Sequence, residues 1–175
     1  MVRLPGPQLH ARASRIRLLV SDVDGVLTDA SVYYSARGEE LKRFSMRDGM
    51  GVERLRDAGI ETALLTREVS EIVEARARKL GIARVCMGER DKREALPRLV
   101  RELGLSAQQV AYIGDDINDF EALVWASEAG LSACPADALP KVLSVVHYVT
   151  SAKGGHGAFR ELCELILDNQ EEHTP

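Results

Sequence analysis

An apolar run from Ile16 to Val20 leads into Ser21-Asp22-Val23-Asp24-Gly25-Val26-Leu27-Thr28, and this join constrains the chain more than any other stretch. The run reads as a buried strand, with two carboxylates at its C-terminal end. Residues i and i+2 of a strand share a face, so if the chain turns at Gly25 both carboxyl groups can point into one crevice. Open α/β sheets bind ligands in such a crevice, beyond the carboxyl ends of parallel strands. Paired acids there suit Mg²⁺ binding, a carboxylate nucleophile and proton transfer. Taken alone, the motif reads almost as well as a solvated, Asp-rich turn.

The rest of the chain supplies the context. Residues Met1 to Ser14 contain Pro5, Gly6 and Pro7 with little periodicity and read as a flexible tail. Ser31 to Phe44 alternates at Val32 and Tyr34, turns at Ala36 to Gly38 and resumes at Leu41, the pattern of a β-hairpin. Arg47-Asp48-Gly49 precedes a helix whose apolar face is Val52, Leu55 and Ala58, stopped by Gly59. Strands expected at Ile60–Thr66, Ala83–Met87, Val110–Ile113, within Glu128–Ser132 and at Val145–Val149 then alternate with helices. The helices are expected at Val69–Leu80, Lys92–Leu103, Ile117–Ala126, Asp137–Leu143 and Ala158–Leu167. Such alternation gives a parallel sheet covered on both faces. The expected fold is α/β, a Rossmann-like three-layer αβα sandwich with a projecting hairpin. One domain over 15–168 lies between tails at 1–14 and 169–175.

Chemistry-bearing residues recur at the ends of these strands: Asp22 and Asp24, Thr66, Lys92 after its loop, and Gly114-Asp115-Asp116-Ile117-Asn118-Asp119. Their combined chemistry is coherent. Asp22 can attack phosphorus as a carboxylate, while Asp24 protonates the leaving alcohol and then deprotonates water. Asp22, Asp115 and the backbone carbonyl of Asp24 suffice as protein ligands for Mg²⁺. Thr66 and Lys92 can hold phosphoryl oxygens as charge redistributes.

The ordered set DxDGVLTD, a strand-ending Thr, a helix-opening Lys and GDDxxD resembles the four motifs of the haloacid dehalogenase-like phosphatases. Further stretches, including GEELK, RDG, RARKLGI, AYIGDD, ADALP, YVT and RELC, resemble the 3-deoxy-D-manno-octulosonate 8-phosphate phosphatases. Phosphatases of the 9-phosphates of sialic-acid-like sugars share most of them. The resemblance covers roughly Ile16 to Leu167. It implies nucleophile Asp22, acid/base Asp24, phosphate contacts Thr66 and Lys92, and metal ligand Asp115, with Asp116 and Asp119 orienting metal waters or Lys92. It also implies substrate contact by Arg47, Asp48 and Gly49, a fold without a mobile cap, and a homotetramer. Spacing independently leaves no room for a cap, since Asp29–Asp48 holds only a hairpin and Lys92–Asp115 only a helix and a strand. A neighbouring subunit is then the simplest source of cover.

Two positions depart from the resemblance. Thr66-Arg67-Glu68 stands where Thr-Gly-Arg is common, and His156 stands where octulosonate phosphatases often carry Arg. Arg67 either contacts an anionic sugar acid or points to solvent, and Arg160 either binds a substrate carboxylate or pairs with Glu161 or Glu164. The expected substrate is a phosphorylated sugar acid, first the octulosonate 8-phosphate and next an N-acylneuraminate-type 9-phosphate. A non-catalytic tetrameric module is the reading from a different class.

Composition narrows the field further. A net charge of −4 and an aromatic content of 5% argue against a nucleic-acid partner. No apolar run approaches the roughly 18 residues of a membrane span, and Met1 to Ser14 has no continuous apolar core of a secretory signal. Cys86, Cys134 and Cys163 are scattered, as expected of reduced thiols in a cytoplasmic protein.

Overall fold

The computed structural model describes Leu4 and residues 6–170. In chain order the elements are α1 (Gly6–Ala13), β1 (Leu18–Ser21), β2 (Val32–Ser35), β3 (Gly38–Lys42), α2 (Met46–Asp57), β4 (Glu61–Leu65), α3 (Glu71–Leu80) and β5 (Arg84–Cys86). They continue with α4 (Lys92–Glu102), β6 (Val110–Ile113), α5 (Phe120–Ala129), β7 (Leu131–Cys134), α6 (Pro140–Leu143), β8 (Tyr148–Val149) and α7 (Ala158–Gln170). Six strands form one sheet in the order β5-β4-β1-β6-β7-β8, and every neighbouring pair is parallel. The order reverses around β1, so the ends of β1 and β6 flank the switch point where such sheets bind ligands.

Alternation along the strands divides the core into two layers. Leu19, Leu64, Ala111 and Ile113 face one way and pack with residues of α1, α2, α3 and α7. Leu18, Val20, Leu65 and Tyr112 face the other way and pack with α4, α5 and α6. All four residues of β1 are buried, as a central parallel strand requires. The three-layer αβα sandwich is therefore as expected from the sequence.

β2 and β3 pair with each other as a separate antiparallel ribbon, shifted in register between Tyr33 and Tyr34. Tyr33 and Leu41 lie opposite each other and are both exposed. The ribbon is the expected hairpin, but it is tied back to the body. Glu39 accepts from Ser70 Oγ, and Lys42 reaches Asp24.

Some boundaries differ from expectation. Gly6–Ala13 is a helix rather than a flexible tail, with Leu9 and Ala13 buried one turn apart against α7. Arg12 adds bonds to the carbonyls of Ser127 and Gly130. So short a helix has no stability of its own, and tertiary packing supplies it. Helix α2 starts earlier than expected, at Met46, because Ser45 caps it by accepting from Arg47 N and Asp48 N; Arg47, Asp48 and Gly49 are thus inside the helix. α5 runs on through Ala129 and moves the next strand to Leu131–Cys134. α6 begins only at Pro140, whose fixed φ suits the first helical position. At the far end α7 continues to Gln170, so the tail expected from 169 begins inside a helix, and 171–175 lie outside the described residues.

Candidate active site

Asp22 follows β1 directly and still keeps sheet register, its N–H donating to Ile113 O at 3.0 Å. The chain then turns, with Leu27 N bonded to Val23 O at 2.9 Å and Gly25 at φ 86°. A Cβ on Gly25 would lie 2.0 Å from Asp115 Oδ2, so only glycine lets the first and last motifs approach this closely. Asp22 is 4% exposed. Its Oδ1 accepts from Val23 N at 2.7 Å, and its Oδ2 lies 2.8 Å from Lys92 Nζ.

Lys92 opens α4, after Asp91 has capped that helix through Glu94 N. Its buried ammonium bridges Asp22 to Asp119 Oδ1, 2.7 Å away. Asp119 accepts in addition from Tyr112 Oη at 2.6 Å, Asp115 N at 3.0 Å and Asp116 N at 3.2 Å. Those donors occupy the sites a carboxylate offers. Asp119 thus holds Lys92 and the loop after β6, and one of its oxygens lies within 4.8 Å of an oxygen of Asp22 and of Asp115. Asp116 caps the following turn through Ile117 N and lies exposed beside the site.

The electrostatics leave the cluster short of positive charge. Burial, followed by repulsion from Asp119, pushes the Asp22 carboxyl up to about 7 against the pull of Lys92. Burial, then Asp119, Asp22 and Asp116, pushes Asp115 up to about 8. Burial alone would weaken the Lys92 ammonium, but the carboxylates outweigh it and its proton is held more tightly than usual. Burial raises the Tyr112 phenol well above its ordinary value, so it stays a neutral donor. Among the described residues, Asp115 Oδ1 is buried without a hydrogen-bond partner. Oxygen-only donors, an orphaned carboxylate oxygen and a deficit of positive charge together fit a small, hard divalent cation. Asp22, Asp115 and Asp119 each bring a carboxylate oxygen within 4.8 Å of the others, and with Asp119 engaged by its four donors, Asp22 and Asp115 are the carboxylates that could hold such an ion.

Around these acids is a cavity of about 280 Å³ lined by Asp22, Asp24, Thr66, Arg67, Asp115 and Asp116, among others. A larger hollow of about 400 Å³ lies at the starts of β4 and β5, lined by Val52, Ile60, Leu80 and Ile82 together with Arg56, Glu61 and Arg84, with no acid cluster. The chemistry is at the smaller one. Thr66 follows β4 directly, with its N–H on Cys86 O at 2.9 Å and its Oγ1 accepting from Glu68 N at 3.4 Å. Arg67 is exposed and lines the cavity.

The other expected substrate contacts stand elsewhere in this chain. Arg47 is exposed on the first turn of α2. Asp48 is buried and accepts from Gly157 N at 3.2 Å and Arg160 N at 2.9 Å, holding the start of α7. Gly49 packs beside the Arg76 guanidinium. Arg160 pairs with Glu164, which Arg54 also holds at 2.9 Å. None of these lines the cavity. His156 lies 2.8 Å from Arg43, which anchors the hairpin root to Asp29 at 2.9 Å.

Lys42 is a site residue that the sequence pattern hid. Its Nζ lies 2.7 Å from both carboxylate oxygens of Asp24, and its side chain is 1% exposed. The neighbouring Leu41 is 63% exposed, the reverse of what apolar alternation in β3 leads one to expect.

Comparison with known proteins agrees with this geometry. A family model described as haloacid dehalogenase-like hydrolase matches residues 50–127. The 3-deoxy-D-manno-octulosonate 8-phosphate phosphatase of Yersinia pestis is 45% identical over 161 residues, 92% of this chain and 84% of that protein. The corresponding phosphatase of Moraxella catarrhalis, solved with a magnesium ion, a phosphate ion and a KDO molecule, superposes with a TM-score of 0.91. It is 37% identical, and the match covers 96% of this chain and 95% of that one. The cobalt-bound enzyme of Haemophilus influenzae gives a TM-score of 0.87 at 41% identity, covering 91% and 92% of the two chains. With identity at this level over nearly the whole chain, and with Asp22, Asp24, Thr66 and Asp115 lining one cavity and Lys92 held against Asp22, the chain belongs to the 3-deoxy-D-manno-octulosonate 8-phosphate phosphatase family of the haloacid dehalogenase-like hydrolases.

Proposed function

We propose that this chain is a Mg²⁺-dependent phosphatase that hydrolyses 3-deoxy-D-manno-octulosonate 8-phosphate through an aspartyl-phosphate on Asp22. The observation that carries the reading is the buried Asp22–Lys92–Asp119 array beside the unpartnered Asp115 oxygen. Asp22, Asp115 and the Asp24 carbonyl would hold the Mg²⁺ ion, whose charge would offset repulsion between an anionic nucleophile and an anionic phosphate.

The chain's own residues do the rest. Asp22 Oδ1 or Oδ2 attacks phosphorus, and the bond to the sugar oxygen breaks as Asp24 gives that oxygen a proton. Water then attacks phosphorus, its proton passes to Asp24, and Asp22 leaves as carboxylate. Lys92, fixed by Asp119, sets a positive charge beside the nucleophile. Thr66 and Arg67 both line the cavity; in this reading Thr66 contacts the phosphate and Arg67 meets the sugar carboxylate.

Further parts of the reading concern cover and place. The exposed Tyr33, Tyr34 and Leu41 on the hairpin suit contact with a second copy, consistent with a homotetramer. Arg47 and Arg160, remote from this chain's cavity, would then serve assembly or a neighbouring site. No helix of the described residues is long and apolar enough to cross a membrane, and the reading places the enzyme in the cytoplasm.

The test is phosphate release from octulosonate 8-phosphate, an N-acylneuraminate-type 9-phosphate and unrelated phosphomonoesters, with Asp22→Asn as control. Preference for the octulosonate ester and a silent control support the reading. Preference for the nine-carbon ester reassigns the sugar, and equal activity in the control removes the nucleophile.

A further inference from the structure

The nucleophile and the acid/base residue each hold a buried lysine, and the two lysines come from different parts of the chain. Lys92 from α4 serves Asp22. Lys42, from the last position of β3, serves Asp24. Its ammonium spans both Asp24 oxygens at 2.7 Å and reaches Glu39 Oε2 at 3.4 Å. Glu39 in turn is held by Ser70 Oγ, next to α3. Asp24 receives one further side-chain contact among the described residues, from the Thr28 hydroxyl at 3.3 Å. Burying an ammonium is costly unless it is paired, and the fold pairs this one most closely with the proton-transfer group, with Glu39 as a second and more distant acid.

We infer that Lys42 is a positioning residue for Asp24, so that the hairpin is part of the catalytic apparatus of its own chain as well as a surface for others. The inference rests on the phosphatase reading above. Asp24 must deliver a proton to the departing sugar oxygen, and later take one from the water that attacks phosphorus. Both transfers need its carboxyl group in one orientation at the cavity wall that it lines. A carboxylate has about four lone-pair sites; Lys42 and Thr28 engage both oxygens and still leave acceptor capacity on Oδ2. When Asp24 releases its proton, Lys42 already faces the carboxylate that forms.

An aryl phosphate separates this role from general damage. Its phenolate leaves without a proton, so formation of the aspartyl-phosphate bypasses Asp24, whereas its hydrolysis does not. The full chain carrying Lys42→Met, with Mg²⁺, is mixed with p-nitrophenyl phosphate in a stopped-flow instrument. The expected trace is a burst of about one p-nitrophenolate per chain at close to the wild-type rate, then turnover slowed roughly 10- to 100-fold, a share of what general acid–base catalysis contributes. Lys42→Arg, which returns the charge, recovers part of the slow phase. Unchanged turnover in Lys42→Met overturns the inference, and so does a burst that falls in proportion to turnover, because that marks a structural loss. If the wild-type chain hydrolyses the aryl ester but not octulosonate 8-phosphate, the substrate assignment fails while the Lys42 comparison still stands.

Discussion

Removing divalent cations should make this protein progressively less stable as the pH rises. Asp22 and Asp119 flank one ammonium at 2.8 and 2.7 Å, and Asp115 adds a third carboxylate with a buried, unpartnered oxygen. Burial and mutual repulsion raise Asp22 and Asp115 from 3.8 to about 7 and about 8. A carboxyl whose folded value lies above its unfolded value binds extra protons in the native state. Its stability is whole below about pH 4 and is lost as the pH rises through 7 and 8. At about 1.4 kcal/mol per unit, raising one such group to about 7 corresponds to roughly 4 kcal/mol. The two groups share the same field, so the pair costs less than twice that. For a domain of this size, about 2–4 °C accompanies each kcal/mol, giving a fall in Tm of roughly 10 °C from mildly acidic to mildly alkaline pH in chelator. Mg²⁺ at about 100 times its Kd adds about 2.7 kcal/mol, and by replacing the protons it should flatten the alkaline limb. Differential scanning fluorimetry across pH, with chelator and with Mg²⁺, reads both effects. Parallel curves in the two conditions would refute the view that these carboxylates form a cation site.

Two further outcomes follow from other parts of the structure. Gly25→Ala puts a Cβ 2.0 Å from Asp115 Oδ2 at a φ of 86°, so it should abolish turnover and the Mg²⁺-dependent rise in Tm; retention of both would show that the turn tolerates a side chain. His147 is buried, and burial followed by the charge of Arg12 lowers it from 6.5 to about 4, so its share of stability is whole above pH 6.5 and is lost as the pH falls through about 4. That share is about 3 kcal/mol at most, and urea denaturation of wild type and His147→Gln should diverge across this acid range; superimposable profiles would contradict it.

The residues of the candidate site are readable from sequence because each stands in a local signal: an apolar strand followed at once by Asp, Thr or Gly-Asp, or a helix start at Lys92. Strand ends on one side of a parallel sheet must converge, so order along the chain became proximity in space. The pairing of Lys92 with Asp22 and Asp119 followed from that convergence. Lys42 was not readable, because its burial depends on the hairpin folding back over Asp24, and Leu41 beside it advertised the wrong face. Asp48 looked like a substrate contact in its motif, yet its partners are backbone N–H groups of Gly157 and Arg160, more than a hundred positions away. Helix α1 is hidden from the sequence for a related reason: its two buried residues find their partners in α7 and β7, far along the chain.

The most direct test of the proposed chemistry is to trap the phosphoryl group. Asp24→Asn, which cannot take the proton from water, should accumulate phosphorylated protein when mixed with p-nitrophenyl phosphate and Mg²⁺, because the phenolate leaves without the proton that Asp24 gives a sugar oxygen. Acid quenching, digestion and peptide mass spectrometry should then find one phosphoryl group, on Asp22. A phosphoryl group on any other residue, or unphosphorylated Asp22 in a variant that still releases phosphate, would contradict it.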